Sequence, residues 1–323
     1  MGRALTFADP DIIKMCQNDY IPVTGDDWYQ RRRKDREGEF FRGLAAASGK
    51  GGHTLQGIYL FAADGTALEY KNSGHSAEYT KEMMRRNLAK FAKLPEAKRK
   101  PKIEDAGQLD ADYSRTPPEG GMILKVYTRI LDFKDGAYSK GTCKATGGEK
   151  AARDHVWITK DEVKALIPAK AEVGFRYAMP AKIADRIARW HLIDNTRGEP
   201  QLWKPEDVRA KRMSLVVTSA TTETVEIRLE GEVLLSTDAD TAKAERGYEV
   251  RLFGSLRYQV AKGAFDRFDL TAVGTHWGEH FDTSPARPGK SILGQLFELA
   301  GDKPSDFVPP QGIRDRDGYY GLR

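Results

Sequence analysis

The sequence predicts an α/β unit at the amino end joined to a larger α+β unit, the latter a curved antiparallel β-sheet or partial barrel with flanking helices. Three observations carry this. A chain of 323 residues is long for one compact core and comfortable for two. Between Pro95 and Gly121 the composition turns to PEAKRKPKIEDAGQLDADYSRTPPEGG, rich in charge, Pro and Gly and poor in large apolar side chains. That stretch reads as a linker over 96–120, separating a domain at 1–95 from one at 121–323. Beyond residue 214, four stretches alternate apolar and polar residues with period two, as half-buried antiparallel strands do.

In the first domain, Asp9 reads as an N-cap and Pro10 as the first position of a short helix with Ile12, Ile13, Met15 and Cys16 behind it. Tyr20–Thr24 reads as a strand, and Gly25-Asp-Asp breaks it. A second helix is predicted from Asp27 to about Ala47, with Trp28, Phe40, Phe41 and Leu44 apolar and Arg31–Glu37 solvated. Gly57–Asn72 is the most secure element: Ile58, Leu60 and Ala62 alternate with Tyr59 and Phe61, and Asp64-Gly65 supplies a turn that favours positive φ. A long amphipathic helix follows over Ser76–Leu94, carrying Tyr79, Met83, Met84, Leu88 and Phe91.

In the second domain, Met122–Leu131 reads as a long strand and Asp154–Thr159 as a short one. Thr159-Lys-Asp-Glu162 has the form of a capping box opening a helix that ends before Pro168. Pro180–Leu192 is an amphipathic helix with Ile183, Ile187 and Trp190, followed by a polar loop. Strands at 214–218, 224–235, 248–258 and 265–274 come next, the last two joined by a tight turn at Lys262-Gly263. Gly231 and Gly254 lie mid-strand, where a bulge or bend is expected. Ile292–Ala300 is read as a short helix, and the tail from Ile313 as irregular.

The first third resembles a thioredoxin-like domain. Phe7-Ala-Asp-Pro-Asp-Ile-Ile-Lys-Met-Cys16 and Tyr20-Ile-Pro-Val23 look like that fold's first long helix and next strand, Gly57–Tyr70 like its antiparallel pair, and the helix after it like the closing helix. The resemblance spans roughly the first 95 residues and is one of element order. It would imply a Cys-x-x-Cys at the start of the first helix and a cis-proline before the hairpin; this chain has neither, with Gln56-Gly57 at the second place. Cys16 falls near the far end of its helix, where the dipole opposes a thiolate. The implied protein is a scaffold without redox chemistry, or a thiol-disulfide oxidoreductase whose motif lies upstream of this chain.

Composition narrows the partners. Hydrophobic residues make up 40% and charged residues 31%, and no apolar stretch approaches the ~18 to 20 residues that span a bilayer. The start lacks the apolar core of a secretory signal, so the chain reads as cytoplasmic, or as exported if an upstream signal has been removed. Fifty-two basic against 47 acidic residues give a net charge of +5, mild for a polyanion binder. The run Lys98-Arg-Lys-Pro-Lys has no interleaved aromatics, which leaves solvated linker charge as its reading and gives nucleic acid little support. Cys16 and Cys143 form neither a redox nor a zinc spacing and are expected free and buried. P-loop, dinucleotide-binding and serine-hydrolase motifs are absent from the sequence.

Chemistry-bearing residues are few. His276-Trp-Gly-Glu-His280 has an H-x-x-x-H spacing that binds zinc when held on a helix, and would make a metal-dependent hydrolase; the alternative is a loop at a sheet edge. Asp154-His155 and His191-Leu-Ile-Asp194 each set a carboxylate beside an imidazole, a pairing useful for general acid–base work if both reach one pocket. Arg197 has the fork that binds a carboxylate bidentately. No cofactor is required by these residues. The leading expectation is a non-catalytic protein that binds a protein or small-molecule ligand through its β-rich domain.

Overall fold

The computed structural model describes residues 6–72, 76–101, 107–113, 115–140, 151–280, 283, 287 and 289–321. Two compact units emerge, Met1–Ser114 and Arg115–Arg323. Among the described residues no helix is long and apolar enough to cross a membrane. Cys143 lies outside them.

In the first unit, helix α1 (Pro10–Asp19) starts where expected, because Asp9 Oδ1 accepts the N–H groups of Asp11 and Ile12 at 2.9 and 3.2 Å. Cys16 is free but half-buried rather than buried, and burial raises its thiol pKa. The strand expected over Tyr20–Thr24 does not form. Ile21 and Val23 are 90% and 76% exposed, so their side chains gain nothing from a sheet. Tyr20 is held instead by its hydroxyl, which donates to Met84 O at 2.7 Å.

The single helix expected over 27–47 is two, α2 (Asp27–Gln30) and α3 (Arg36–Ala47). A buried ion pair makes the break. Arg33 Nε reaches both Asp35 carboxylate oxygens at 2.8 and 2.9 Å, while Asp35 Oδ1 accepts Gly38 N–H and caps α3. A helix running through Asp35 would lose that cap and take from buried Arg33 one of its two carboxylate partners, Glu37 being the other. Asp35 also accepts the N–H of Asp110, and Lys34 N–H donates to Asp110 Oδ2 at 2.8 Å. Part of the expected linker therefore belongs to the first unit, and Glu96–Arg99 in it forms a short helix, α5.

Strands β1 (Ile58–Phe61) and β2 (Ala67–Lys71) make the expected hairpin as a two-stranded sheet, with Gly65 at φ 89° in its turn. Helix α4 (Ala77–Ala92) begins at Ser76, whose side chain accepts Tyr79 N–H, and buries Met83 and Met84. Glu69 of β2 ties the hairpin to α4 by accepting from Arg86, Asn87 and Lys90.

The second unit is built on one nine-stranded antiparallel sheet, whose strands are β3 (Met122–Lys134), β4 (Ala137–Lys140), β5 (Ala152–Ile158), β6 (Arg176–Ala178), β7 (Val208–Ala220), β8 (Thr224–Ser236), β9 (Arg246–Gln259), β10 (Ala264–Gly278) and β11 (Lys290–Leu299). Eight follow the order β4-β3-β11-β10-β9-β8-β7-β6, and β5 pairs with the first half of β3 beside β4. The sheet does not close into a barrel. Its buried face carries Leu124, Val126, Leu215, Ile227, Leu229, Val250, Leu252, Phe268, Leu270 and Phe297 at alternate positions, against Ile183, Ala184, Ile187 and Ala188 of the helix after β6. Each such side chain contributes about 1.5–3 kcal/mol on leaving water.

Three expectations about this unit are corrected. Ile292–Ala300 is strand β11: Leu293, Gln295 and Phe297 point inward together, and full pairing with β10 and β3 overrides a pattern that also satisfied helical spacing. Gly231 and Gly254 are not bulges, since register is unbroken through both; the shifts fall at Val208/Ala210, Val217/Ser219 and Phe265/Arg267. A side chain at Gly254 would meet Asp269 O at 2.5 Å, so close strand approach accounts for it. The tail is ordered as a 3₁₀ turn at Gln311–Asp315 and helix α8 (Arg316–Tyr320), which buries Tyr319 and Tyr320.

Helix α6 (Lys160–Leu166) opens with the predicted capping box, and α7 (Ala181–Arg186) follows β6. At Ile187–His191 α7 widens into a π-helix, with Leu192 N–H donating to Ile187 O at 2.9 Å. Single π turns recur where a helix must re-aim side chains. This one carries His191 and leads directly to Asp194.

Candidate functional site

The residues singled out in sequence fall into two places. In the first, β5 presents Asp154 and the π turn presents His191. His191 Nδ1 stands 3.2 Å from Asp154 Oδ2, out of hydrogen-bond alignment, while Nε2 lies 3.0 Å from the Tyr319 hydroxyl. That hydroxyl also accepts Trp157 N–H at 3.1 Å, and burial holds its pKa well above the ordinary range. Asp154 Oδ1 accepts Gln311 N–H. Every contact binds the tail to β5 and α7, and neither cavity described below reaches the cluster. It is a latch. His155 takes no part, because neighbours on a strand face opposite ways; it bonds with the Ser305 backbone, and burial lowers its pKa.

The second place gathers Asp194, Arg197 and His276 at the end of β10, with three residues the sequence reading did not select: Arg246, Tyr248 and Arg287. Asp194 is its centre. Its Oδ1 accepts Thr196 N–H and Thr196 Oγ1–H at 3.1 and 2.5 Å, an Asx-turn closure that the Asp-Asn-Thr spacing favours. Its Oδ2 accepts Arg197 Nε at 2.9 Å and Arg287 Nη1 at 2.5 Å. The Asp194 and Arg197 side chains are each 2% exposed. Although burial pushes the Asp194 carboxyl up, His276, Arg287, Thr196 and Arg197 outweigh it and hold its pKa at about 2.

Arg197 Nη2 donates to Gly278 O at 3.1 Å, fixing the end of β10. Gly278 is at φ 79°, and a Cβ there would sit 1.7 Å from Glu245 O, so only glycine admits this approach. Tyr248 crosses the inner face, and its hydroxyl, with one proton to donate, lies 2.8 Å from Leu293 O and 2.7 Å from Gln295 Oε1. Arg246 lies flat on Trp203, 4.0 Å from the ring centroid, and donates to Gln201 O at 2.7 Å.

His276 is buried on β10, opposite Tyr248, and its imidazole makes no hydrogen bond among the described residues. Together with Asp194, Arg197, Pro200, Trp203 and Arg246 it lines a cavity of about 10 Å³, room for one water-sized body. The helix that zinc binding by His276 and His280 would need is absent: the first is in β10, and the chain leaves that strand at Gly278. Among the described residues no three His, Cys, Asp or Glu side chains form a metal-ligand set. Arginines 197, 246 and 287 surround His276 with positive charge, which opposes a divalent cation there.

Burial lowers the His276 pKa from 6.5 to about 4, with the arginines adding to the effect and Asp194 opposing it. Unfolded, the same imidazole takes its proton near pH 6.5. Stability is thus complete above that pH and falls as pH drops towards 4, by up to about 3 kcal/mol. His276→Gln is expected to flatten the fall in urea midpoint between pH 6.5 and 4, and an unchanged pH profile would refute the assignment.

Arg246 and Tyr248 left a sequence signal that went unused: both sit at core-face positions of β9, in line with Val250. Arg287 left none, since no periodicity surrounds it. No family model, curated protein or solved structure matches the chain.

Proposed function

We propose that the second unit binds a compact anion, either a small inorganic ion or the carboxylate end of a small ligand, and that the protein acts by binding rather than by catalysis. The observation that carries this is Arg246. It is 6% exposed, and no carboxylate lies within ion-pair distance of it among the described residues. The cavity is lined by two guanidinium groups, of Arg197 and Arg246, with one carboxylate and a neutral imidazole, and Arg287 reaches that carboxylate from outside the lining. Burial lowers the Arg246 pKa to about 10, and Asp207, beyond ion-pair distance, opposes this only in part; a buried cation so incompletely matched is costly, a deficit that an incoming anion offsets. The first unit is read alongside as a thioredoxin-like scaffold lacking the Cys-x-x-Cys pair, a reading supported by its α1, hairpin and α4 order and set against the irregular Tyr20–Thr24 segment.

Thermal unfolding followed by tryptophan fluorescence tests the anion site. At constant ionic strength, chloride, formate or phosphate is exchanged for a bulky anion; a bound ion stabilises by about 1.4 kcal/mol per tenfold excess over its Kd. Response to chloride alone marks an ion site, and response to formate marks a carboxylate site. Arg246→Met is expected to abolish the response while leaving anion-free stability within about 1 kcal/mol, because an apolar chain of similar length replaces a buried charge that no carboxylate meets within ion-pair distance among the described residues. The same response in wild type and variant, or no response at all, would sink the reading.

A further inference from the structure

Strand β7 ends the sheet with half its length uncovered. Its outer neighbour β6 pairs only with Ser214–Val216, reinforced by Met179 N–H donating to Met213 O at 3.0 Å. From Val208 to Arg212, β7 pairs with β8 alone among the described residues. Strand parity fixes which backbone groups are left over. Met213 turns its carbonyl away from β8, and register is unbroken from Ala210 to Val217, so Lys211, two residues back, turns its N–H and C=O outward as well.

A cleft of about 400 Å³ runs along this bare edge, in the size range of ligand sites. Asp185 and Arg189, from α7 and its π turn, form one wall; Val208, Arg209, Ala210 and Lys211 form the other. Its charge is unbalanced. Lys211 pairs with Asp185, the only carboxylate among these lining residues. Arg189 and Arg209 each spend Nε on a backbone carbonyl, Trp203 O and Ser236 O respectively, both at 3.0 Å. Neither has a carboxylate partner among the described residues, so both forks keep donors to give.

We propose that this edge takes up an extended acidic segment of a partner protein, adding it as a strand beside Val208–Arg212 with its carboxylates on Arg189 and Arg209. Backbone pairing would supply affinity and alternate side chains would supply selectivity, as in other strand additions. Facing five residues of β7, the segment would span roughly 17 Å. No residue lining the anion cavity also lines this cleft, so the two proposals stand or fall separately. Basic residues on a bare edge also deter edge-to-edge association between copies, and the experiment separates that role from partner binding.

The test uses the full chain and a fluorescein-labelled, end-blocked heptapeptide alternating Glu and Val, read by fluorescence anisotropy at 0.15 M salt. Saturable binding is expected, weakened at least tenfold by Arg209→Glu and at least tenfold by N-methylating alternate peptide residues on the unmodified protein. The second comparison needs no protein variant and so is immune to misfolding. Equal binding of the N-methylated peptide would reduce the effect to charge attraction and overturn the proposal. So would absence of binding together with new oligomers in Arg209→Ala, which would leave edge protection as the role of these residues.

Discussion

Asp194→Ala is expected to cost about 3–5 kcal/mol of the second unit's stability, among the largest effects available from one substitution in this chain. The reason is what remains behind. Arg197 and Arg287 both end on Asp194 Oδ2, and the carboxylate also closes the turn at Thr196. Without it both buried guanidinium groups lose the carboxylate oxygen on which they converge. Asp194→Asn keeps an acceptor for Thr196 and loses the charge, so the difference between the two variants measures the turn. Trp28 is the only tryptophan of the first unit, whereas Trp157, Trp190, Trp203 and Trp277 report on the second, so urea unfolding by fluorescence follows the right core.

The same carboxylate fixes a second, acid-range slope. Its pKa is about 2 in the fold against 3.8 ordinarily, so its contribution, about 2 kcal/mol, is present above pH 4 and lost as pH falls towards 2. That window lies below the one His276 controls, and the two should appear as separate losses. Formate at high concentration is expected to restore part of the stability of Asp194→Ala by entering the space beside the arginines. A variant within about 1 kcal/mol of wild type would show that the arginines are compensated elsewhere.

Much of the scaffold was legible because local signals and tertiary context agree there. The alternation in Met122–Leu131 and the strands after residue 214, the Thr159–Glu162 capping box, the Ser76 cap and the Asp64-Gly65 turn each specify their element without long-range help. Where context decides, reading failed. Leu293, Leu296 and Phe297 fit a helix as well as a strand until β10 and β3 are known to flank them. Arg33 and Asp35 looked solvated inside a charged run, although they form a buried pair that ends one helix and starts another. At the site, Asp194 and Arg197 were visible as a local carboxylate and fork, whereas their meeting with His276 and Arg287 spans 79 to 93 residues and rests on the sheet's strand order.

Glu162→Ala is expected to match Asp194→Ala in size, at about 3–5 kcal/mol, through a different buried cation. Glu162 closes the α6 capping box by accepting Thr159 N–H at 2.8 Å, and its two oxygens also receive Arg186 Nη1 and Nη2 at 2.7 and 2.6 Å. The Arg186 side chain is 0% exposed. It donates further to Trp157 O and Tyr319 O, and lies 4.9 and 5.1 Å from the Tyr319 and Tyr320 ring centroids. One guanidinium thus joins β5, α6, α7 and the tail, and among the described residues its charge is matched only by Glu162. Losing the cap alone costs about 1 kcal/mol, so a deficit near that figure would mean the ion pair contributes nothing. The paired variant Glu162→Leu with Arg186→Met removes both charges and is expected to be less destabilised than Glu162→Ala, because the penalty arises from stranding the cation rather than from losing a bond. Because Glu162 has its pKa lowered chiefly by Arg186, its contribution is present above the ordinary glutamate range and fades as pH falls below it. A double variant no more stable than the single one would place the energy in packing around the tyrosine rings instead.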